Sequence, residues 1–537
     1  MKLSHFIGIW ATAALILFKA VNYMLVKRRR ALKSQELGCK PAPTHTPGDP
    51  FGIYNLQLIL SAGAKHYLPE YMIQRVQAVS AREGRLVTTF QERVLGQKNI
   101  FTCEPKNIQA MLATSFRDFE LGKGRNGNFE PLLGHGIFAS DGKSWEHSRA
   151  MLRPQFSRQQ INDLDLEEKH VQNMFNVLPV KPDGWTDVVD LQVLFFRLTI
   201  DAATEFLFGE TVGSQMAEHN GATGSEKKFT YAFDRAQYLL FRAGRYGDNY
   251  WLAHNADFRK QVKVVHDFVD RYVDLALQQQ QQQQQQGGLR KTEEDQRQQN
   301  KQPYVFLEAI AAETQDRTEL RDQLLNILLA GRDTTASLLS WLFFTLARHP
   351  HVFAQLRRAV LDDFGPYVDD QPADTTTITF ERLKSSSYLQ HTLKEALRLY
   401  TVVPVNQRRA AVDTSLPTGG GPDGRAPVFV PKGTEILYST HVMHKRKDLW
   451  GDDAEAFRPE RWEGRKSGWE YLPFNGGPRI CIGQQFALTE AGYVVVRVLQ
   501  RFEALEAEDV GEAPGYRMTL TCAPSGGVKV RLREARG

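Results

Sequence analysis

Hydrophobic residues run almost without a break near the amino terminus of the chain, over residues 6–26. About 20 helical residues, each rising about 1.5 Å, cross a hydrocarbon core of about 30 Å. The basic run KRRR follows at 27–30, and basic residues mark the cytosolic end of a membrane span. Because the basic run comes after the apolar run, the pattern favours a retained anchor over a cleaved signal peptide. It predicts a single transmembrane helix within an anchor of residues 1–30.

A proline-rich stretch separates this anchor from the body of the chain. Residues 39–52 read CKPAPTHTPGDPFG, and prolines and glycines at this density form turns and linkers. We therefore predict a hinge over residues 31–50 and one large domain over residues 51–537. Within it, residues 255–277 place apolar side chains at helical spacing, and residues 426–440 combine β-branched residues with Pro and Gly. These patterns predict a mainly α fold with small β-sheets.

A run of nine glutamines occupies residues 278–286, and a polar stretch follows it up to residue 302. Such a composition cannot bury apolar surface. We predict a surface loop over residues 278–302 and assign it no function.

A second long apolar stretch, residues 324–347, is interrupted by the sequence AGRDTTA at 330–336. Arg332 and Asp333 would each cost about 2.5–3.5 kcal/mol in a membrane, so the stretch is better interpreted as a buried central helix. An acid and an alcohol, Asp333 and Thr334, inside such a helix suggest a proton-delivery site. The alternative is a helix N-cap, since Asp and Thr are common cap residues, but apolar helical pattern on both sides argues against it.

Composition narrows the class of protein only a little. Hydrophobic residues make up 42% of the 537 residues and the net charge is +5, which is ordinary globular usage. No basic stretch is interleaved with aromatic residues, so we expect no nucleic-acid binding. The four cysteines contain no CxxC pair, which argues against a zinc ribbon or a disulfide framework.

One of these cysteines, Cys481, lies in the glycine-rich sequence FNGGPRICIG at 474–483, just before a long helical pattern. Glycines permit tight turns and close backbone approach. A helix amino terminus stabilises a thiolate. The local sequence suits a metal ligand and a nucleophile alike, and a buried, inert cysteine is as good an interpretation.

A charged pair lies in the sequence LKEALRLY at 393–400. Glu395 and Arg398 are three residues apart and share one face of a helix. The simplest interpretation is a surface ion pair, but the flanking leucines indicate burial, which requires further partners. Arg458 and Arg461, in the sequence FRPERW, could supply them.

These motifs together resemble the cytochrome P450 family of haem-thiolate monooxygenases. Residues matching every fixed position of the family's haem-binding loop are Phe474, Gly477, Arg479, Cys481 and Gly483. The Glu395–Arg398 pair, Arg461 and the sequence AGRDTT at 330–335 match its other motifs in the same order. The resemblance covers about residues 50–530. It extends, through WEHSRAMLRPQFSRQQI, VVPVNQRRAAVDTSLP and the cysteine loop, to the fungal branch that hydroxylates n-alkanes and fatty acids.

The resemblance implies a haem b cofactor and a role for each matching residue. Cys481 would be the axial iron ligand, and Phe474 would pack near its sulfur. The haem propionates would be held by Arg479 with Trp145 and Arg149, and Arg408 is a further candidate for this role. Asp333 and Thr334 would deliver protons during oxygen cleavage. Glu395, Arg398 and Arg461 would form a structural ion network.

The expected function is terminal (omega) hydroxylation of long-chain n-alkanes or fatty acids at the cytosolic face of the endoplasmic reticulum membrane. The expected electron donor is NADPH-cytochrome P450 reductase, with cytochrome b5 as an optional second donor. Three alternatives stay open: a monooxygenase acting on a sterol or secondary metabolite, a haem-thiolate rearrangement enzyme, and a haem sensor. The intact Asp333–Thr334 pair disfavours the last two.

Overall fold

The computed structural model describes residues 2–46, 48–156, 164–216, 224–286, 304–368, 378–509, 511 and 513–535. Its first element is a long helix, Lys2–Glu36, that lies outside the core. One segment of it, Trp10–Glu36, is long and apolar enough to cross a membrane, judged by length and composition. The helix continues through the basic run and six residues further than the predicted anchor. The first part of the predicted hinge, residues 31–36, is therefore helical.

The body is mainly helical, as predicted. Helices are numbered here in chain order, beginning with α1 at the amino terminus. They are α1 (Lys2–Glu36), α2 (Ile53–Ala64), α3 (Leu68–Glu83), α4 (Pro105–Gln109), α5 (Lys123–Leu133), α6 (Gly142–Leu152), α7 (Asp165–Asn176), α8 (Leu191–Phe208), α9 (Gly224–Gly244), α10 (Ala256–Gln286), α11 (Phe306–Ala311), α12 (Arg317–Leu346), α13 (Pro350–Phe364), α14 (Phe380–Ser385), α15 (Ser387–Leu399), α16 (Thr440–His444), α17 (Lys447–Trp450) and α18 (Gln484–Arg501).

The strands form small sheets at the periphery of the helices. They are β1 (Thr89–Val94), β2 (Gln97–Thr102), β3 (Phe119–Glu120), β4 (Val189–Asp190), β5 (Asn406–Ala410), β6 (Thr414–Gly420), β7 (Ala426–Val430), β8 (Glu435–Tyr438), β9 (Phe502–Ala507), β10 (Tyr516–Met518), β11 (Cys522–Pro524) and β12 (Lys529–Glu534). The largest sheet has five strands in the order β1-β2-β8-β5-β3, and only β2 and β8 pair in parallel. The strands predicted within residues 426–440 are β7 and β8.

Helix α12 is the centre of the fold. It is 30 residues long and buried along most of its length, and Asp316 caps its amino terminus. Its first half packs in one hydrophobic cluster, up to Leu329, and its second half in another, from Ala336 onward. The polar residues 330–335 separate the two clusters. The helix is continuous through them, so Asp333 is a helix-interior residue and the N-cap alternative is wrong.

The glutamine run departs from the prediction. Helix α10 extends to Gln286, so residues 278–286 are helical instead of part of a loop. Glutamine is a good helix former, and the amphipathic segment before it has already formed the helix nucleus, so propagation costs little. The rest of the predicted loop, residues 287–302, lies outside the described residues.

Candidate active site

The cysteine loop ends where α18 begins. A 3-10 turn, Gly477–Arg479, precedes Cys481, and Gly483 is the N-cap of α18. The Cys481 backbone N–H donates to the Phe474 carbonyl at 3.0 Å. Burial raises the pKa of the Cys481 thiol, while the Gly483 backbone N–H and the Arg149 guanidinium lower it. The side chain nevertheless borders open space. A sulfur with amide and cationic support and one open side is suited to binding a metal.

Gly477 and Gly483 of this loop are glycines for different physical reasons. Gly477 has a φ of 67°, and a Cβ there would lie 1.8 Å from the Leu112 carbonyl oxygen. Only glycine fits, because the loop packs directly on the π-helical turn Ala110–Thr114. Gly483 has a φ of −91°, and a Cβ there would meet only Phe156, at 3.6 Å. Its contribution is the backbone N–H directed at the sulfur, not conformational freedom.

Arg479, Trp145 and Arg149 converge beside the loop. The Arg479 guanidinium lies 4.4 Å from the centroid of the Trp145 ring, and that of Arg149 lies 5.9 Å from it. Arg149 donates to the Ile480 carbonyl at 3.0 Å, which joins α6 to the cysteine loop. Arg479 donates to the Ser140 carbonyl at 3.0 Å and to Asp141 at 2.8 Å. The structure therefore brings the sequence WEHSR and the cysteine loop together.

Two further arginines, Arg125 and Arg408, extend this group, which we call the arginine cluster: Arg125, Arg149, Arg408 and Arg479. Arg408 is 2% exposed. The Nε atoms of Arg125 and Arg408 have no hydrogen-bond partner. Burial, together with repulsion from Arg408, lowers the pKa of Arg125 to about 10. Burial likewise lowers the pKa of Arg479 to about 9, with repulsion from the other three arginines and opposition from Asp141.

The arginine cluster carries more positive charge than its surroundings neutralise. Within the described residues, Asp141 is the one carboxylate paired with a member, Arg479. Buried guanidinium groups with free N–H donors require anionic acceptors. The cluster is thus a site for an anion, or for a molecule that carries two carboxylates. The sequence does not indicate a role for Arg125. Its side chain donates to Asn406 at 2.8 Å, and Asn406 is far away in the chain.

The Glu395 network has the opposite character. Glu395 and Arg398 are fully buried and form two hydrogen bonds, at 2.8 and 2.9 Å. Arg461 reaches Glu395 at 3.2 Å, and the Trp462 indole N–H donates to it at 3.0 Å. Arg398 also donates to the carbonyls of His444 and Ala454. Every charged group in this network has a protein partner, so the network has no unpaired charge that could bind a ligand.

The polar part of α12 lies at a cavity. The Thr334 hydroxyl donates to the Ala330 carbonyl at 2.6 Å, within the helix. Asp333 is 3% exposed; burial raises its pKa, and Arg332 beside it acts in the opposite direction. Arg332 pairs with Asp234 of α9. Asp333 lines a cavity of about 890 Å³, together with residues from α2, α9 and the β10–β11 hairpin.

A supported cysteine, an arginine cluster and an acid–alcohol pair within a buried helix are the elements of a haem-thiolate oxygenase. Comparison with known proteins agrees, because the family model described as Cytochrome P450 matches residues 67–529. The chain belongs to the cytochrome P450 family.

Relatives support the assignment along the whole chain. The chain is 48% identical over 540 residues to Cytochrome P450 monooxygenase g430 of Fusarium sp, which covers 99% of this chain and 91% of that protein. It is 43% identical over 557 residues to Cytochrome P450 monooxygenase alt2 of Alternaria solani, covering 99% of each. It is 42% identical over 538 residues to Cytochrome P450 52E1 of Candida apicola, covering 97% of each.

Family membership confirms the predicted fold class, the monooxygenase activity and the haem-thiolate cofactor. The residues present fit that cofactor: Cys481 has one open side, and the arginine cluster has free donors for two carboxylates. When bound, haem supplies the oxygen chemistry, and as in other members a reductase supplies electrons. The roles of individual residues stay predictions.

Proposed function

We propose that this chain is a membrane-bound cytochrome P450 that hydroxylates the terminal carbon of long-chain n-alkanes or fatty acids. The observation that carries the proposal is the cavity of about 890 Å³ that extends from Asp333 to helix α2. Apolar side chains such as Phe196, Leu60 and Met518 line it. The lining surface is more apolar than polar, with several charged residues among its members, and the cavity is large enough to hold one long alkyl chain. The sequence resemblance to the fungal alkane and fatty-acid hydroxylases supports the same substrate class.

In this proposal, Cys481 would hold the haem through a bond from its sulfur to the iron. The Gly483 N–H and the charge of Arg149 stabilise the thiolate that binds the metal. Phe474 fixes the loop through its carbonyl, and Gly477 lets the loop lie against residue 112.

The arginine cluster holds the two haem propionates. Arg479, supported by the Trp145 ring, and Arg149 reach from the cysteine-loop side, and Arg408 and Arg125 complete the group. Charge-assisted hydrogen bonds to carboxylates are stronger than neutral ones. Binding would also relieve the mutual repulsion that lowers the pKa of Arg479.

Asp333 and Thr334 deliver protons. The raised pKa of Asp333 makes its carboxyl group a better proton carrier near neutral pH than an exposed aspartate. Its neighbours Arg332 and Asp234 connect it to the rim of the cavity, where water can supply protons. The Thr334 hydroxyl can exchange its bond to Ala330 for one to the reacting oxygen, and so pass a proton on. Glu395, Arg398 and Arg461 have a structural role.

Helix α1 anchors the enzyme in the endoplasmic reticulum membrane with the catalytic domain in the cytosol, since the basic run lies on the domain side. An apolar substrate then enters from the bilayer. NADPH-cytochrome P450 reductase supplies the electrons, with cytochrome b5 as an optional second donor.

The substrate class is tested by titrating the purified holoprotein with alkanes, fatty acids of several lengths and sterols while recording the haem absorption spectrum. A substrate that binds beside the haem would change its absorption spectrum. We expect shifts with dodecane or dodecanoate and longer homologues, and none with ergosterol. Shifts with sterols alone would reject the alkyl substrate in favour of the sterol alternative.

A further inference from the structure

The end of the cavity remote from Asp333 is cationic. Arg242, in the last turn of α9, and Arg245, just beyond it, line this end beside Gly63 of α2. A Cβ on Gly63 would lie 2.6 Å from both terminal nitrogens of Arg245. The absence of a side chain at Gly63 therefore makes room for the Arg245 guanidinium at the cavity wall.

These two arginines have no protein counter-charge in the part of the chain that the structure describes. Arg245 stacks on the Phe241 ring at 4.7 Å, and its Nε has no hydrogen-bond partner. Repulsion from Arg242 adds to the burial that lowers the pKa of Arg245. The other arginines at the cavity have carboxylates near them. Arg235 pairs with Asp257 at 2.9 Å, and Arg332 pairs with Asp234. Arg517, which also lines the cavity, is close enough to Asp333 to lower the pKa of that carboxyl group.

The two ends of the cavity therefore differ in charge and lie far apart. Asp234 and Arg242 are eight residues apart on α9, which is about 12 Å along the helix axis. Asp234 contacts Arg332, which also contacts Asp333 at 3.2 Å, and apolar residues such as Met518 contribute to the cavity wall. A ligand that matches this cavity is a long apolar chain with an anionic group at one end.

We infer that Arg245, assisted by Arg242, binds the carboxylate of a long-chain fatty acid and directs its methyl end toward Asp333, the residue that precedes Thr334 in α12. The inference rests on the proposed function and narrows it, because it makes fatty acids preferred over n-alkanes. It also accounts for terminal attack: a chain fixed at its carboxylate presents its far end to the reacting centre.

The test compares dodecanoate with its methyl ester and with dodecane in spectral titrations of the full-length holoprotein. Wild type should bind dodecanoate about ten-fold or more tightly than the ester, since a hydrogen bond to a charged group contributes about 1.5–3 kcal/mol. Arg245→Met should remove that preference while binding the ester within about two-fold of wild type. Arg245→Lys should retain part of it, because it keeps the charge and loses the two-point geometry.

Arg235→Met is the matched control. It removes one positive charge from the same helix, but from a residue already paired with Asp257, and should keep the preference for dodecanoate over the ester. A thiolate-type spectrum of the reduced carbon monoxide complex checks that each variant is folded. Product analysis adds a second readout: Arg245→Met should shift hydroxylation from the terminal carbon toward internal carbons.

The outcomes separate the two proposals. If wild type binds none of the three probes, the proposed substrate class fails and the inference fails with it. If wild type binds dodecanoate and Arg245→Met binds it equally well, the substrate class stands and the arginine assignment is overturned. If Arg245→Met weakens dodecanoate and ester binding equally, Arg245 maintains the shape of the cavity and does not bind the carboxylate, so the inference is overturned. If Arg245→Met weakens binding to phosphatidylserine vesicles but not to dodecanoate, the guanidinium faces lipid headgroups, and the inference is also overturned.

Discussion

Two groups of buried or partly buried arginines in this protein have opposite surroundings. In the Glu395 network, Arg398 and Arg461 share a fully buried carboxylate and are surrounded by backbone carbonyl acceptors. In the arginine cluster, Arg125 and Arg408 have unsatisfied Nε atoms. The protein itself supplies the counter-charge of the first group, whereas the second group requires an anionic ligand.

The difference shows how to distinguish structural arginines from ligand-binding ones. A buried charge is tolerated only when it is paired and hydrogen-bonded. Where the chain supplies the pair, as for Arg398, the residue stabilises the fold. Where like charges gather with too few carboxylates, as for Arg125 and Arg408, the missing partner must come from a ligand. The same criterion distinguishes Arg245 from Arg235 in the cavity.

The largest expected effect comes from breaking the complete network. Glu395→Gln leaves two buried guanidinium groups without their carboxylate, and we expect a loss of about 3–5 kcal/mol in the free energy of unfolding. Since a folded domain has only about 5–15 kcal/mol, little folded protein should accumulate. Urea unfolding followed by far-ultraviolet circular dichroism measures the change.

The control for that variant is Glu503→Gln, which removes a part-exposed partner of Arg533 at 2.9 Å. It should cost at most about 1 kcal/mol. A similarly small cost for Glu395→Gln would mean that the network does not stabilise the fold.

A second prediction concerns Cys481, which lies beside the arginine cluster. Cys481→His should leave the fold intact but abolish the thiolate-type spectrum of the reduced carbon monoxide complex, because a neutral nitrogen replaces the anionic sulfur. Hydroxylation should fall below detection. The matched control is Cys522→Ala, a buried cysteine away from the loop, which should keep the spectrum. If Cys481→His also keeps it, Cys481 is not the ligand.

The smallest of these effects should follow Thr334→Ala. The hydroxyl is bonded within α12 to Ala330, so its removal should change stability little. We expect normal haem content and NADPH consumption within about ten-fold of wild type. A positioned proton donor accelerates only the step in which it transfers the proton, by about 10²–10⁴-fold, so the loss should appear in product formation. The ratio of product to peroxide should fall sharply. An unchanged ratio would exclude Thr334 from proton delivery.

Sequence patterns predicted the parts of the site that lie close together in the chain. Glu395 and Arg398 share one helical turn, so their spacing predicted a shared helix face. Cys481, Arg479 and Gly477 share one loop, but the local sequence left the role of Cys481 open, and the resemblance to a known family assigned it as a ligand. The continuous helix through Asp333 followed from apolar residues on both sides of it.

The parts that depend on distant segments could not be predicted in this way. Arg125 acquires its significance only when the fold brings it to Arg408 and Asn406. Arg245 gives no signal in the sequence, because the absence of a carboxylate partner is a property of three dimensions. The helical glutamines up to Gln286 were missed because composition predicts solubility better than it predicts local structure.

The central claim is that the arginine cluster binds the carboxylates of the cofactor. Transfer of haem from the folded holoprotein to excess apomyoglobin measures it directly. Arg408→Met should fold with a thiolate-type spectrum and release haem about ten-fold or more faster than wild type, the effect of losing one charge-assisted hydrogen bond. Release at the wild-type rate from a correctly folded Arg408→Met variant would contradict the account.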